Sequence, residues 1–342
     1  MVKRVTIKDV ANEAGVSVTT VSIVLNGKGH SVPISTQDRI YCAAKKLSYT
    51  PNYTARSLVM GRTKMVGIIV PSITNFFFAE LVSQLQKQFA KYGYDIILSN
   101  NEDGADKDLK YINLLAGRNI DGLIFTPSAE SLSSEENVRV LTETLRSLPI
   151  PCLFLDRYFG DFAPHISIDN TTSGYRIAEY LLACGHEKIG VVTGPMYLNS
   201  SFNRLKGFRK KLAEAGISHP DGYIYEGQYD LETGERAAEA LLKADVTAIF
   251  AFSDMQAYGS YKKLKELGKR VPEDVSVVGF DDNVYSSLLD KPLTTMRQPL
   301  DELASATVIA MLDLMNGQTY RKADKIPAQL IERESVRIIP KG

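Results

Sequence analysis

Thr6-Ile-Lys-Asp-Val-Ala-Asn-Glu-Ala-Gly-Val-Ser-Val-Thr-Thr-Val-Ser-Ile-Val-Leu-Asn26 predicts two short amphipathic helices folded about Gly15. Ile7, Val10, Ala11 and Ala14 recur at helical spacing and form one apolar face, while Lys8, Asp9 and Asn12 point away. Ser17 is placed to cap the second helix through its side-chain oxygen, and Val21, Val24 and Leu25 give that helix its inward face. Val18, Thr19, Ser22 and Ile23 are left outside, near the helix start that enters a major groove in a helix-turn-helix. A third helix, roughly residues 35–47, contributes Ile40, Ala43, Ala44 and Leu47 to a three-helix core, with Lys45 and Lys46 near its end as phosphate contacts. The alternative for this pattern alone is an ordinary small helical bundle.

Charge separates the two readings. Residues 1–64 carry ten Lys/Arg against three Asp/Glu, a net of +7, and residues 65–342 carry thirty against thirty-seven, a net of −7, so a neutral total hides a basic head on an acidic body. A basic head of this kind is the electrostatic footprint of a DNA-binding module. Beyond it, Pro51 starts a helix of about nine residues, too short to be stable alone given a nucleation parameter of roughly 10⁻³.

From Met65 onward, apolar runs alternate with amphipathic stretches: Val66–Val70, Ile96–Leu98, Leu123–Phe125 and Leu153–Leu155 read as strands, with helices between them. Residues 166–280 repeat the scheme, with strands near Ile189–Val192, Tyr223–Tyr225, Ala248–Phe252 and Val275–Val278. Such alternation predicts α/β lobes with parallel sheets. Asp156, Asp254 and Asp281 each stand just past a strand end, where open α/β sheets bind ligands, although Asp254 also reads as a helix cap.

Ile7-Lys-Asp-Val-Ala11, Val21-Ser22, Tyr49-x-Pro51-Asn52-x-x-Ala55-Arg56-Ser57-Leu58, Gly122-Leu-Ile124, Asp169-Asn170, Val277-Val-Gly279-Phe280-Asp281 and Arg333-Glu334-Ser335 together resemble the LacI/GalR family of transcription regulators essentially end to end. The resemblance implies a three-helix DNA-binding domain over residues 1–50, a hinge helix and linker over 51–64, and a two-lobed periplasmic-binding-protein-like body over 65–342, with crossovers near 168, 296 and 325. It implies a homodimer on an approximately palindromic double-stranded operator, with Leu58 as the wedge that kinks the duplex. The DNA-facing set is then Thr6, Ser17, Val18, Thr19, Thr20, Ser22, Ile23, Asn26, Tyr49, Asn52, Ala55, Arg56 and Leu58. Members commonly place Arg or His where this chain has Ile23, which offers only apolar contact, so the half-site should differ from the common one. The Gly29-His30-Ser31 stretch lengthens the loop before the third helix, either as plain solvated loop or as a phosphate contact through Lys28 or His30.

By the same resemblance an effector lies between the lobes, anchored by Arg204 and Asp281, contacted by Asp156 and Ser253, and walled by Phe77 and Tyr229. Carboxylates with aromatics suit a carbohydrate. Purine-sensing relatives carry another Arg where this chain has Leu198, which weakens a purine or nucleoside effector. Pro71-Ser-Ile-Thr-Asn75-Phe-Phe-Phe-Ala-Glu80 also resembles catabolite regulators that recruit a phosphorylated carrier protein as corepressor. Of the three phenylalanines, Phe78 is expected in the core or dimer surface with Leu81 and Leu85.

No enzyme motif competes. Gly27-Lys28-Gly29 lacks the spacing of a phosphate loop, the four His show no metal spacing, and His186 reads as a helix-end turn residue, so neither cofactor nor metal is expected. Cys42, Cys152 and Cys184 are too few and too widely spaced for a disulfide framework and read as buried thiols. The longest apolar runs fall far short of the roughly 20 residues of a membrane helix, and no signal peptide precedes the first helix, so a cytoplasmic location is expected.

Overall fold

The computed structural model describes residues 5–26, 29–49, 61–320 and 324–340, which leaves Lys28 and the hinge residues Asn52, Ala55, Arg56 and Leu58 outside the described residues. The chain divides into two compact units, Met1–Thr63 and Lys64–Gly342.

The first unit holds α1 (Ile7–Ala14), α2 (Val18–Leu25) and α3 (Ile34–Lys46), with Gly29–Ser31 forming a single 3₁₀ turn. Gly15 ends α1 in the left-handed region at φ 66°, and Ser17 caps α2 by accepting the Thr20 N–H at 3.1 Å. Val10, Ala11, Ala14, Val21, Val24, Ile40 and Ala43 bury a common core against which Leu47 and Tyr49 pack. Cys42 lies on the outward face of α3 and is exposed, because the inward positions belong to Ile40 and Ala43; the expectation of a buried thiol fails there.

The second unit contains two six-stranded sheets. The first joins β1 (Met65–Val70), β2 (Asp95–Asn100), β3 (Gly122–Phe125), β4 (Cys152–Leu155), β5 (His165–Ile168) and β11 (Asp324–Ile326) in the order β11-β5-β4-β3-β1-β2. The second joins β6 (Ile189–Thr193), β7 (Ile224–Glu226), β8 (Ala248–Ala251), β9 (Ser276–Asp281), β10 (Thr294–Arg297) and β12 (Gln329–Ile331) in the order β12-β10-β9-β8-β6-β7. Two details differ from the sequence reading. Residues 165–168 join the first sheet between β4 and β11 rather than opening the second, and β12 runs antiparallel to β10. Both arise where the chain crosses between lobes, after β5, after β10 and between β11 and β12.

Each lobe is flanked by helices: α4 (Phe76–Lys91), α5 (Ala105–Ala116), α6 (Ala129–Leu132), α7 (Glu135–Arg146) and α12 (Leu300–Met315) on the first, α8 (Asn170–Ala183), α9 (Asn199–Glu214), α10 (Leu231–Leu242) and α11 (Asp254–Glu266) on the second. The central strands β1, β3, β6 and β8 are buried on both faces, as parallel sheets with helices on each side require, while the edge strands β2 and β7 are partly exposed. The tightest joint is the α8–α9 crossing. A Cβ added at Gly174 would stand 2.0 Å from the Arg204 carbonyl oxygen, and one at Gly207 would stand 1.8 Å from the Thr171 carbonyl oxygen. Backbone thus touches backbone one turn on from the residues that build the cleft. Gly207→Ala is expected to lower the melting temperature by about 3–10 °C, since overpacking costs about 1–3 kcal/mol and neither backbone is a flexible side-chain end; a differential-scanning trace within 1 °C of wild type would contradict it.

Candidate functional site

Between the lobes of the second unit lies a cleft of about 330 Å³, lined from both sides, a size within the range of small-molecule sites. All six residues expected at an effector site, Phe77, Asp156, Arg204, Tyr229, Ser253 and Asp281, reach its wall.

The second lobe supplies the cationic corner. Arg204, on the second turn of α9, is 4% exposed. Its Nε and one terminal nitrogen donate to Asn170 Oδ1 at 3.1 and 2.6 Å, the other terminal nitrogen donates to the Phe252 carbonyl, and the guanidinium sits 3.3 Å from the Phe280 ring centroid. It therefore rests on Asn170 and an aromatic face rather than directly on a carboxylate. Three of the five N–H groups of an arginine are used, and two remain for a ligand. Burial pulls its pKa down, while Tyr229, Asp281 and Asp156 oppose the fall.

Asp281 ends β9 with φ 134° and takes a hydrogen bond of 2.6 Å from Gln298 Nε2. Burial and the neighbouring Asp254 charge push its carboxyl up to about 8, against the pull of Arg204 and Gln298. Asp254 was read as a possible cap, but the cap of α11 is Ser253, whose Oγ accepts the Gln256 N–H at 3.2 Å. Asp254, at the first helical position, instead accepts from Thr295 Oγ1 at 2.6 Å, Ser286 Oγ at 2.5 Å and the Asn283 N–H at 3.0 Å, so it braces the floor and is spent. Tyr229 stands over Gly194, where a Cβ would collide with the ring, and its hydroxyl bonds Ser201 Oγ at 2.6 Å.

The first lobe supplies Asp156 and Arg157 just past β4. Burial raises the Asp156 pKa, against the pull of Arg157 and Arg204. Arg157, which sequence reading missed, is 5% exposed and donates to Asp103 Oδ1 at 2.5 Å and to the Pro127 carbonyl at 3.3 Å. Burial disfavours its charge, but Asp103 and Asp156 outweigh that and raise its pKa. The signal was available, since Arg157 follows a strand-end carboxylate directly. Gln298 and Asn75 were also missed; both lie at element ends, Asn75 as the cap of α4. Phe77 and Phe78 meet edge-on with centroids 4.9 Å apart, and both line the cleft, with Phe78 also in the core beside Leu81 and Leu85. Phe76 faces away and meets Tyr285 of the second lobe, centroids 5.1 Å apart. Several residues of the Pro71–Glu80 stretch therefore serve the cleft wall.

In the first unit, Val18 and Thr19 are exposed at the start of α2, while Ser22 and Ile23 are half-buried. Other members of the expected DNA-facing set are engaged internally. Ser17 caps α2, Thr6 donates to Asp9 Oδ2 through both its backbone N–H and its hydroxyl, Asn26 Nδ2 donates to Ser22 Oγ at 3.2 Å, and Tyr49 packs on the core. Lys46, expected on phosphate, pairs with Glu13 at 2.6 Å. His186, expected in a helix-end turn, follows α8 but is fully buried, bonded to Thr247 Oγ1 at 2.9 Å and to the Arg337 carbonyl at 3.1 Å, where it pins the last segment of chain. Among the described residues no cluster of three or more His, Cys, Asp or Glu is placed to hold a metal, and no helix is long and apolar enough to cross a membrane.

Comparison with known proteins bears on both units. The model for bacterial regulatory proteins of the lacI family matches residues 6–52, and the periplasmic binding protein-like domain matches residues 178–336. The HTH-type transcriptional repressor PurR of Klebsiella pneumoniae subsp. pneumoniae is 34% identical over 335 residues, covering 97% of this chain and 96% of that protein. The lac repressor dimer bound to operator and the anti-inducer ONPF superposes with a TM-score of 0.86 at 28% identity, over 98% of this chain and 100% of that one. A LacI family regulator from Enterococcus faecium with bound ribose gives a TM-score of 0.70 at 26% identity, over 81% and 100%.

Proposed function

The chain belongs to the LacI family of bacterial regulatory proteins and is a DNA-binding transcriptional repressor; from that premise we propose that a sugar or sugar derivative bound in the cleft sets its affinity for operator DNA. The observation that carries the proposal is the alternation of acceptors and donors around the cleft: Asp281, Gln298 and Arg204 on one lobe, Asp156 and Arg157 on the other, between the rings of Phe77 and Tyr229. Carboxylates accept paired hydrogen bonds from vicinal hydroxyls, guanidinium groups donate to hydroxyl oxygens, and aromatic faces cover the apolar faces of a sugar ring. The position where purine-sensing relatives carry a second Arg is here Leu198, fully buried and without a donor. The ribose-bound relative supports a sugar as the ligand class.

Two chains pair through their bodies, which presents two heads to an approximately palindromic operator. Val284 and Leu288, 67% and 71% exposed on the second lobe beside Tyr285, favour a covered apolar surface there. The head reads the major groove through the start of α2, with Val18, Thr19, Ser22 and Ile23 nearest the bases. The effector then acts by differential affinity for lobe arrangements.

A thermal-shift panel of pentoses, hexoses and nucleobases, followed by operator anisotropy with this protein's own promoter region, tests the proposal. A sugar should raise the melting temperature and change operator affinity roughly 5- to 150-fold. A nucleobase that does both, with no sugar doing either, overturns the assignment.

A further inference from the structure

The cleft has a component that reaches it only through another residue. Asp156 lies at the centre of a three-residue turn, with φ 65° and the Arg157 N–H donating to the Leu155 carbonyl at 2.8 Å. That is a γ-turn of the rare, strained hand, and such a turn persists only where its surroundings hold it. On one side the Asp156 N–H is held within its own lobe, donating to the Ile166 carbonyl at 2.9 Å; the second hold comes from the other lobe. Asn199, the first residue of α9, donates from Nδ2 to the Asp156 carbonyl at 3.1 Å and accepts the Tyr158 N–H on Oδ1 at 3.3 Å. One amide thus grips the backbone on both sides of Arg157. One turn further along α9, the Asn203 side chain meets the Tyr158 hydroxyl, and the Tyr158 ring stacks on His165 at 3.7 Å and 10°. Ser200 and Arg204, the neighbours of Asn199 and Asn203, face the cleft itself.

We infer that Asn199 is a positioning residue: from the second lobe it holds the strained Asp156 turn of the first, so that the Asp156 carboxyl faces the ligand only while the lobes are together, whereas Arg157 is held within its own lobe by Asp103 and the Pro127 carbonyl. The inference rests on the reading of the cleft as the effector site and deepens it, since it names the contact through which lobe arrangement and ligand affinity depend on one another. If the lobes part, the amide leaves, the turn relaxes toward extended backbone, and the Asp156 carboxyl turns away from the cleft. Ligand bound to Asp156 favours the gripped arrangement in return, as reciprocity of coupling demands.

The test uses the full chain, with Asn199→Ala and Asn199→Asp compared with wild type. Hydrogen exchange at the Tyr158 amide is followed without ligand, and affinity is measured with D-ribose and with the best sugar of the panel above. Asn199→Ala should speed exchange at Tyr158 and weaken sugar binding by about tenfold, the effect expected of losing two neutral hydrogen bonds, with the melting temperature within about 2 °C. Asn199→Asp keeps the acceptor for Tyr158, so protection there should persist, yet its charge beside the Asp156 carbonyl should still weaken binding. Unchanged Tyr158 exchange in Asn199→Ala overturns the grip. Faster exchange with unchanged affinity, or an affinity loss that only tracks a fall in melting temperature, overturns the positioning role. If wild type binds no sugar, the effector assignment has failed and the exchange result still judges the grip.

Discussion

Arg204→Ala is expected to abolish the effector response while leaving operator binding by the head in place. Removing the guanidinium leaves Asn170 Oδ1 and the Phe252 carbonyl without their donor and takes away the cation that faces Asp281 and Asp156. Charge-assisted hydrogen bonds are worth about 1.5–3 kcal/mol, so a ligand that uses the two remaining N–H groups loses roughly 10- to 150-fold or more in affinity. Arg204→Lys should recover little, because an ammonium cannot serve Asn170 and a ligand with one planar fork while stacking on Phe280. Titration calorimetry gives the affinity, and anisotropy with and without sugar gives the response. A variant that binds sugar as tightly as wild type would remove Arg204 from the site.

Sugar affinity should rise with pH by up to about tenfold per unit until about pH 8 and then level off, since one pKa unit corresponds to about 1.4 kcal/mol. The sign follows from Asp281. Its carboxyl is pushed up to about 8 in the folded protein from 3.8, because it is buried and stands beside Asp254. Between those values the empty native state keeps a proton that the unfolded chain has released, so this group lowers stability as pH climbs from about 4 to about 8 and no further beyond that. Ligand hydroxyls that donate to Asp281 favour its ionised form, so binding expels the proton below that pH. Calorimetry in buffers of different ionisation enthalpy counts the proton directly. Asp281→Asn should flatten most of the dependence; Asp156, also raised by burial, accounts for any slope that survives. A ligand that needs Asp281 as a donor would reverse the slope, which would turn the assignment away from a polyol.

Much of this arrangement was legible in the sequence because it is periodic or local. The apolar spacing of Val10, Ala11 and Ala14, the cap at Ser17 and the turn at Gly15 are contained within a few residues, and the strand runs Val66–Val70 and Ile189–Val192 are apolar because they are covered on both sides. The six expected cleft residues follow from strand ends and from family pattern. What escaped depends on contacts distant along the chain. Arg157 matters because Asp103, 54 residues away, holds it, and Asn199 because a loop 41 residues back presents a carbonyl and an N–H to it. Asp254 looked like a cap because it sits where caps sit; only Thr295, Ser286 and Asn283 converging on it show that Ser253 does the capping. The antiparallel β12 was invisible because three residues leave no alternation to read.

Asp103, Asp156 and Asp281, with φ of 56°, 65° and 134°, occupy backbone that ordinary side chains resist. Aspartate and asparagine tolerate the left-handed region better than other non-glycine residues, and glycine tolerates it best. The acidic wall of the cleft is therefore drawn from a three-letter alphabet: a descendant that changes its ligand can exchange carboxylate for amide or delete the side chain at these positions at little conformational cost. A branched or bulky replacement meets a steric barrier before its chemistry is ever tried. Divergence of ligand preference in this lineage should run mainly through charge removal at those three acids and through free substitution at Phe77, Leu198 and Tyr229, where the backbone imposes no such restriction.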